Sequence, residues 1–198
     1  MGYTVPSTKK AREKFDKLII AADKLFAENG YEKTSVANIT SLANVGVGTF
    51  YLYFDDKLSI YHYILFDYQK RIKQYISSKI GKITDRCEKE RIGLIAWLEF
   101  INENPNTYDI IWQSLTVEKN LFVDYYKSFS NSYKKGLDKD SNQLIDINHE
   151  HLSLALMGIS SFMGLKIMIN GGQKLSNDEI LEIANSMANV LNNGLFKK

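Results

Sequence analysis

Val36-Ala37-Asn38-Ile39-Thr40-Ser41-Leu42-Ala43, then Asn44-Val45-Gly46, then Val47-Gly48-Thr49-Phe50-Tyr51-Leu52-Tyr53-Phe54 is the stretch whose reading decides the fold. Its outer segments fit two short helices, 36–43 and 47–54. Thr34 and Ser35 stand just before the first, where hydroxyls accept the amide donors that a helix start leaves free. Ile39, Ala43, Val45, Phe50 and Tyr53 supply the apolar contact that two steeply crossed helices bury. The turn needs a residue that tolerates positive φ. Gly is commonest there, and Asn44 is the next best choice because its short side chain bonds locally. The pattern predicts a helix-turn-helix, a unit whose second helix enters the DNA major groove. Two short core helices are the plainer reading of the same residues.

Helical periodicity extends in both directions. Phe15, Leu18, Ile19, Ala22, Leu25 and Phe26 recur at three and four residues and predict a helix over about 8–29, ended by Asn29-Gly30. Leu58, Tyr61, Leu65, Tyr68, Ile72 and Tyr75 predict a long helix from Asp55 to about Lys79. More helices are expected over Glu88–Glu103, from Pro105 through Leu115, over about 117–136, over Asn148–Ile169 and from Ser176 to about Asn192. Residues 137–147 read as a loop. The segment Asn148–Ile169 is apolar on most sides, which predicts burial on more than one face. Ser176-Asn177-Asp178-Glu179 is a capping box, with Leu175 placed to staple Ile180. The fold class expected is all-α, with about nine helices. An amino-terminal three-helix domain over 1–56 is followed, through a linking helix over 55–80, by a larger helical domain over 57–198.

The chain has 198 residues, 44% hydrophobic and 12% aromatic, enough to bury a core and to exclude disorder. The single cysteine, Cys87, excludes an internal disulfide and fits a reducing, cytoplasmic setting. No apolar run reaches the roughly 18 residues of a membrane span, and no signal-peptide pattern opens the chain, so no membrane partner is expected. The formal net charge of +2 hides an asymmetry. Residues 1–82 carry +5 and residues 83–198 carry −3. Lys9, Lys10, Arg12 and Lys14 stand against Glu13 alone and make a basic arm. Such a division suggests a polyanion partner for the first half, and on charge alone reads equally well as a solvated face.

Two runs carry a family likeness. Ala27-Glu28-Asn29-Gly30-Tyr31-Glu32-Lys33-Thr34-Ser35-Val36, followed by Val45-Gly46-Val47-Gly48-Thr49-Phe50-Tyr51-Leu52-Tyr53-Phe54-Asp55-Asp56-Lys57-Leu58, resembles the DNA-binding domain of the TetR family of bacterial transcriptional regulators. The likeness covers about residues 10–65. It implies a homodimeric repressor that binds a palindromic operator in double-stranded DNA and is released by a small molecule. It also implies that the domain over 57–198 serves ligand binding and dimerisation.

Site residues carry over position by position. Gly48 and Thr49 fall early in the recognition helix, where small side chains let the backbone approach DNA. Tyr51 and Tyr53 resemble the family's phosphate-contacting hydroxyls, with core packing the other reading of Tyr53, and Phe50 and Phe54 face inward. Lys57 could hold a phosphate together with the free amides of the next helix start. Thr34 and Ser35 either do the same one helix earlier or simply cap. The sequence also departs from the family pattern at Gly46, Asn44 and Val47, where a polar cap, a turn glycine and a polar or basic residue are usual. No Arg, Lys, Asn or Gln lies between Val45 and Phe54, so bidentate readout of guanine or adenine is not available to this helix. Val47, Thr49 and Leu52 can touch thymine methyls. An A/T-rich operator is therefore expected, with DNA shape and the arm bearing Lys9 and Lys10 adding to the readout.

Aromatic residues crowd the chain after position 60. Tyr63, Phe66, Trp97, Phe100, Tyr108, Trp112, Phe122, Tyr126 and Phe129, with Met163, are candidates to line a pocket for a small apolar or cationic effector. Each taken singly reads equally well as ordinary core. Glu103 and Asp109 could balance a cationic ligand. Gly158, Ser160, Ser161 and Gly164 are small residues set among Leu152, Leu156, Ile159 and Met163, and Met187, Val190 and Leu191 give the last helix a matching apolar face. The resemblance implies a two-fold four-helix bundle there. No cofactor or metal is called for: His149 and His151, two apart on one helix, point to different faces, and there is no glycine-rich phosphate loop or nucleophile motif. Enzymatic activity is not expected. The alternative function is an all-helical protein-interaction scaffold without DNA binding.

Overall fold

In the computed structural model, residues 2–194 are described. They form nine α-helices: α1 (Lys9–Asn29), α2 (Val36–Leu42), α3 (Val47–Tyr51), α4 (Lys57–Ile80), α5 (Arg86–Glu103), α6 (Asn106–Val117), α7 (Lys119–Lys139), α8 (His149–Ile169) and α9 (Asn177–Asn193). Contacts divide the chain into two compact units. The first takes residues up to Gln69 together with Asn106–Tyr125; the second takes Lys70–Pro105 and the chain from Tyr126 onward. The first unit therefore draws helices from both sides of position 56.

Local signals set most helix ends. Thr8 caps α1, its hydroxyl accepting from the Ala11 amide at 3.4 Å, and Gly30, at φ +80°, ends it. Ser35 and Asn38 form a reciprocal capping box at α2, as Ser176 and Glu179 do at α9. Asn44 takes φ +52°, the one non-glycine residue at positive φ among the described residues. The turn between α2 and α3 thus rests on an Asn where left-handed backbone is needed.

Helix α3 is shorter than expected, ending at Tyr51 rather than Phe54. The amides of Tyr53 and Phe54 both turn back to the Phe50 carbonyl, at 3.0 Å each. Beyond them the backbone pairs elsewhere: Thr4 donates to the Tyr53 carbonyl at 2.8 Å and Asp55 donates to the Gly2 carbonyl at 3.2 Å. Once those groups are taken, the helix has no reason to continue. The expected loop over 137–147 is also shorter, because α7 runs on to Lys139 with Leu137 fully buried.

In the first unit, Phe15, Leu18, Phe26, Ile39, Phe50, Phe54, Tyr61 and Leu65 are all buried. Helix α6 is tied to α1 by polar bonds as well. Asn106 donates to Asp23 at 2.7 Å. Gln113 donates to the Phe26 carbonyl at 2.9 Å and accepts from the Tyr31 amide at 3.0 Å, so one side chain closes both sides of the turn at Gly30. Tyr61 donates to the Ile110 carbonyl at 2.5 Å.

The second unit centres on α5 against α8 and α9. Leu175 and Ile180 are both buried, as a staple requires. Asn102 donates to the Leu175 carbonyl at 2.8 Å and accepts from its amide at 3.1 Å. At the other end of α5, the buried Arg86 bonds Glu90 and, at 3.1 Å, Asp140, while Tyr133 donates to Glu90. Lys89 reaches Asp140 at 2.7 Å, and that bond above all holds the Asp140 carboxyl below its ordinary range. Paired charges of this kind fix α5 against α7, since removing any one member leaves another desolvated.

Helix α8 corrects two expectations. It is long and apolar enough, by length and composition, to cross a membrane. Looking for an apolar run misses this, because Ser153, Ser160, Ser161 and Lys166 interrupt the window. Only 22% of that window is buried. The buried residues Ser153, Leu156, Gly164 and Ile167 mark a single stripe, while Leu154, Phe162, Met168 and Ile169 stand exposed. Burial on more than one face does not occur within one chain.

Candidate nucleic-acid interface

The recognition helix is built around one anchor. Phe50 is fully buried and packs at 5.5 Å from Phe54, which stacks at 5.2 Å on Phe15 of α1. Turning about that anchor, α3 presents the other side of its short cylinder outward. Val47 is 48% exposed, Tyr51 56% and Leu52 69%. Thr49 is half-buried and Gly48 exposed. A Cβ added to Gly46 or Gly48 would meet nothing within 4 Å, so packing inside the molecule demands neither glycine. The outward face is apolar and shallow, suited to lying against methyl groups and sugar edges rather than to hydrogen-bonding a guanine.

Lys9 and Lys10 are exposed in the first turn of α1. Arg12 is partly spent on Asp16 at 2.9 Å and lies 5.2 Å over the Phe15 ring. Ser35 is exposed but its hydroxyl caps α2, accepting from the Asn38 amide at 3.1 Å.

Three of the expected phosphate-contacting side chains are used internally instead. Thr34 is 2% exposed, and its hydroxyl donates to the carbonyls of Gly30 at 2.9 Å and Leu25 at 3.1 Å. Tyr53 is 8% exposed, and its hydroxyl donates to the Ala11 carbonyl at 3.2 Å. Lys57 donates to the Tyr31 carbonyl at 2.8 Å and lies 4.0 Å over the Tyr31 ring. These groups fasten α1, the turn before α2, and α4 to one another. Thr34 and Lys57 bond carbonyls at the end of α1 and in the turn that follows it, and Tyr53 bonds a carbonyl in the first turn of α1, so all three hydrogen-bond within the fold.

The aromatic candidates fall into both units. Tyr63, Phe66, Tyr108, Trp112 and Phe122 belong to the first; Trp97, Phe100, Tyr126, Phe129 and Met163 belong to the second. Tyr108, Trp97 and Phe100 are buried core residues, and Trp97 donates to the Ser160 carbonyl at 2.9 Å. In the first unit, Trp112 lies 6.5 Å from Phe122, and His62 lies edge-on to Phe66 at 4.7 Å. The Trp112 Nε1 and His62 Nδ1 atoms are buried without a hydrogen-bond partner. Burial pushes the His62 imidazole below its ordinary value and raises the Asp109 carboxyl. Glu103 is engaged by Lys174 at 3.4 Å.

In the second unit, a shallow cleft is lined by Leu94, Leu156, Ile159, Met187 and Leu191, with Glu90 and Arg91 at its side. None of the ten aromatic-pocket candidates lines it. It lies instead on the face expected to dimerise. There, Leu156 is buried, Leu152, Ile159, Met163, Met187 and Val190 are half-buried, and Leu191 is 40% exposed.

Tyr3, Asp23, Asn106 and Gln113 were not legible as site residues. Each acts on a partner at least 45 positions away, and no local spacing announces such a contact.

Comparison with known proteins gives a family match over part of the first unit. Residues 18–64 match the model of bacterial regulatory proteins of the tetR family. The chain is 33% identical over 88 residues, 44% of each protein, to the fatty acid metabolism regulator protein of Bacillus subtilis. The match spans less than half the length of that curated relative. Among known structures, the fatty acid degradation regulator FadR of Bacillus halodurans superposes with a TM-score of 0.80 at 20% identity, covering 93% of this chain and 97% of that one. FadR of Bacillus subtilis in complex with stearoyl-CoA superposes at 0.71 with 19% identity, covering 92% and 100%. At such identities the superpositions establish a shared fold.

Proposed function

We propose that the chain is a DNA-binding transcriptional regulator of the TetR type, a homodimer that represses from a palindromic operator and releases it on binding a small molecule; the match of residues 18–64 to the tetR family model supports this reading. The observation that carries this reading is the outward face of α3. Val47, Tyr51 and Leu52 stay exposed there while Phe50 is buried. An apolar face with Lys9 and Lys10 nearby in the same unit suits DNA, with phosphates held by the arm and thymine methyls met by the helix. It is a poor catalytic surface, and the protein is a regulator rather than an enzyme.

Dimerisation draws support from α8. An apolar helix with only 22% of its window buried wants a cover, and the apolar side of α9 lies beside it, across the cleft lined by Met187 and Leu191. A second copy presenting the same two helices would supply that cover isologously. Two recognition helices one DNA turn apart would then read the two half-sites. For the effector, likeness to a fatty acid metabolism regulator favours an apolar molecule, and an acyl chain carried on coenzyme A, as in the FadR complex with stearoyl-CoA, is the first ligand to try. A cytoplasmic location goes with this role.

Tyr51 separates a DNA reader from a helical scaffold. It is exposed, so truncation leaves the fold intact to within about 0.5 kcal/mol. Tyr51→Ala is expected to weaken binding to duplex DNA by about tenfold, one contact of about 1–2 kcal/mol, with an unchanged melting temperature. Retardation of duplex DNA, followed by melting of both proteins, checks this. Wild-type protein that retards no duplex at low salt would leave the scaffold reading standing.

A further inference from the structure

The segment before α1 does work that the reading face alone does not explain. Gly2, Tyr3 and Thr4 run antiparallel to Tyr53, Phe54 and Asp55, with Tyr3 opposite Phe54. Two backbone bonds flank that pair, Thr4 to Tyr53 at 2.8 Å and Asp55 to Gly2 at 3.2 Å. The strap is close: a Cβ on Gly2 would come 2.2 Å from Asp55 Oδ2, leaving no room for a side chain unless that carboxylate swings away. The strapped turn is the one that joins the last residue of α3, Tyr51, to the first of α4, Lys57.

The Tyr3 ring completes the tie. It meets Tyr63 edge-on at 5.2 Å and His62 at 5.9 Å, both on α4, and Phe54 at 6.5 Å. Tyr63 in turn packs edge-on to Phe15 of α1 at 5.0 Å. One short segment therefore grips the exit of the recognition helix through its backbone and the start of α4 through its ring. Yet Tyr3 is 40% exposed and Val5 46%, and the core beneath is filled without them by Phe15, Phe50 and Phe54.

We propose that Gly2–Thr4 is a positioning strap, with Tyr3 its positioning residue, that sets the recognition helix at the angle required for operator readout. This rests on the DNA-binding reading above. The strap brings no cation to the interface, so it acts on the specific complex and not on general attraction to phosphate. Non-specific binding depends on charge and tolerates many orientations, whereas base-edge contacts need one.

The test uses the full chain, a duplex recovered by selection from a random library, and a non-selected duplex of equal length. Tyr3→Ala removes the ring, Tyr3→Phe keeps it, and Thr4→Pro removes the amide that bonds Tyr53. Tyr3→Ala and Thr4→Pro are each expected to lose about tenfold in affinity for the selected duplex, the loss of about one base contact. Tyr3→Phe is expected to stay within about twofold, well under the 1.4 kcal/mol of a decade. Affinity for the non-selected duplex, and its salt dependence, should not change in any variant. Equal losses on both duplexes would overturn the proposal by showing a merely structural role, as would Tyr3→Ala binding like wild type. Wild-type protein that binds neither duplex would overturn the DNA-binding reading itself.

Discussion

Raising the salt concentration from about 50 to about 200 mM is expected to weaken operator binding by about 10³–10⁵-fold. The expectation follows from where the charge lies. The overall charge of +2 divides into +5 over residues 1–82 and −3 over the rest. Lys9, Lys10 and Lys14 are exposed, while Arg12 is partly neutralised by Asp16. Two copies of the arm on one operator bring about six to ten phosphate contacts into play, the range in which counterion release gives that steepness. Replacing Lys9 and Lys10 by Ala should flatten the plot of log affinity against log salt by about 0.9 for each phosphate contact removed. Fluorescence anisotropy across a salt series checks both. Binding that hardly responds to salt would show that the arm does not touch DNA.

The second large effect concerns the partner copy. Phe162 is 63% exposed on α8, so Phe162→Glu should leave the melting of the isolated chain unchanged to within about 0.5 kcal/mol. In a two-fold dimer closed over α8 and α9, the same substitution buries an unpaired carboxylate from each copy. Burying an uncompensated charge costs about 3–5 kcal/mol, so, with two such charges per dimer, dissociation should rise by about 10⁴–10⁷-fold. Sedimentation at micromolar concentration reads this directly. Operator affinity should fall with it, because a single recognition helix of five residues reads only one half-site. A variant that remains dimeric would place the interface elsewhere.

Much of the fold was legible because its signals are local. Ser35 and Ser176 announce helix starts by their distance from Asn38 and Glu179, and Asn44 marks the turn because few other residues accept φ +52°. Apolar spacing placed Phe15, Leu18 and Phe26 inward, along with Tyr61 and Leu65. What was hidden depends on distant partners. Nothing near Thr34, Tyr53 or Lys57 says that the carbonyls of Gly30, Ala11 and Tyr31 will claim their polar groups before a phosphate can. Residues 2–4 carry no helical pattern, yet their backbone ends α3 early by pairing with Tyr53 and Asp55. Periodicity showed that α8 is apolar on several sides. It could not distinguish burial inside one chain from burial between two.

The central claim is that the α3 face and the basic arm read DNA as a symmetric pair, with methyl contact and groove shape in place of guanine recognition. Selection of bound duplexes from a random library, with the full-length chain at low salt, tests it most directly. Two inverted A/T-rich half-sites about one helical turn apart are the predicted product. Recovery of no enriched sequence, or of guanines at the most constrained half-site positions, would contradict it.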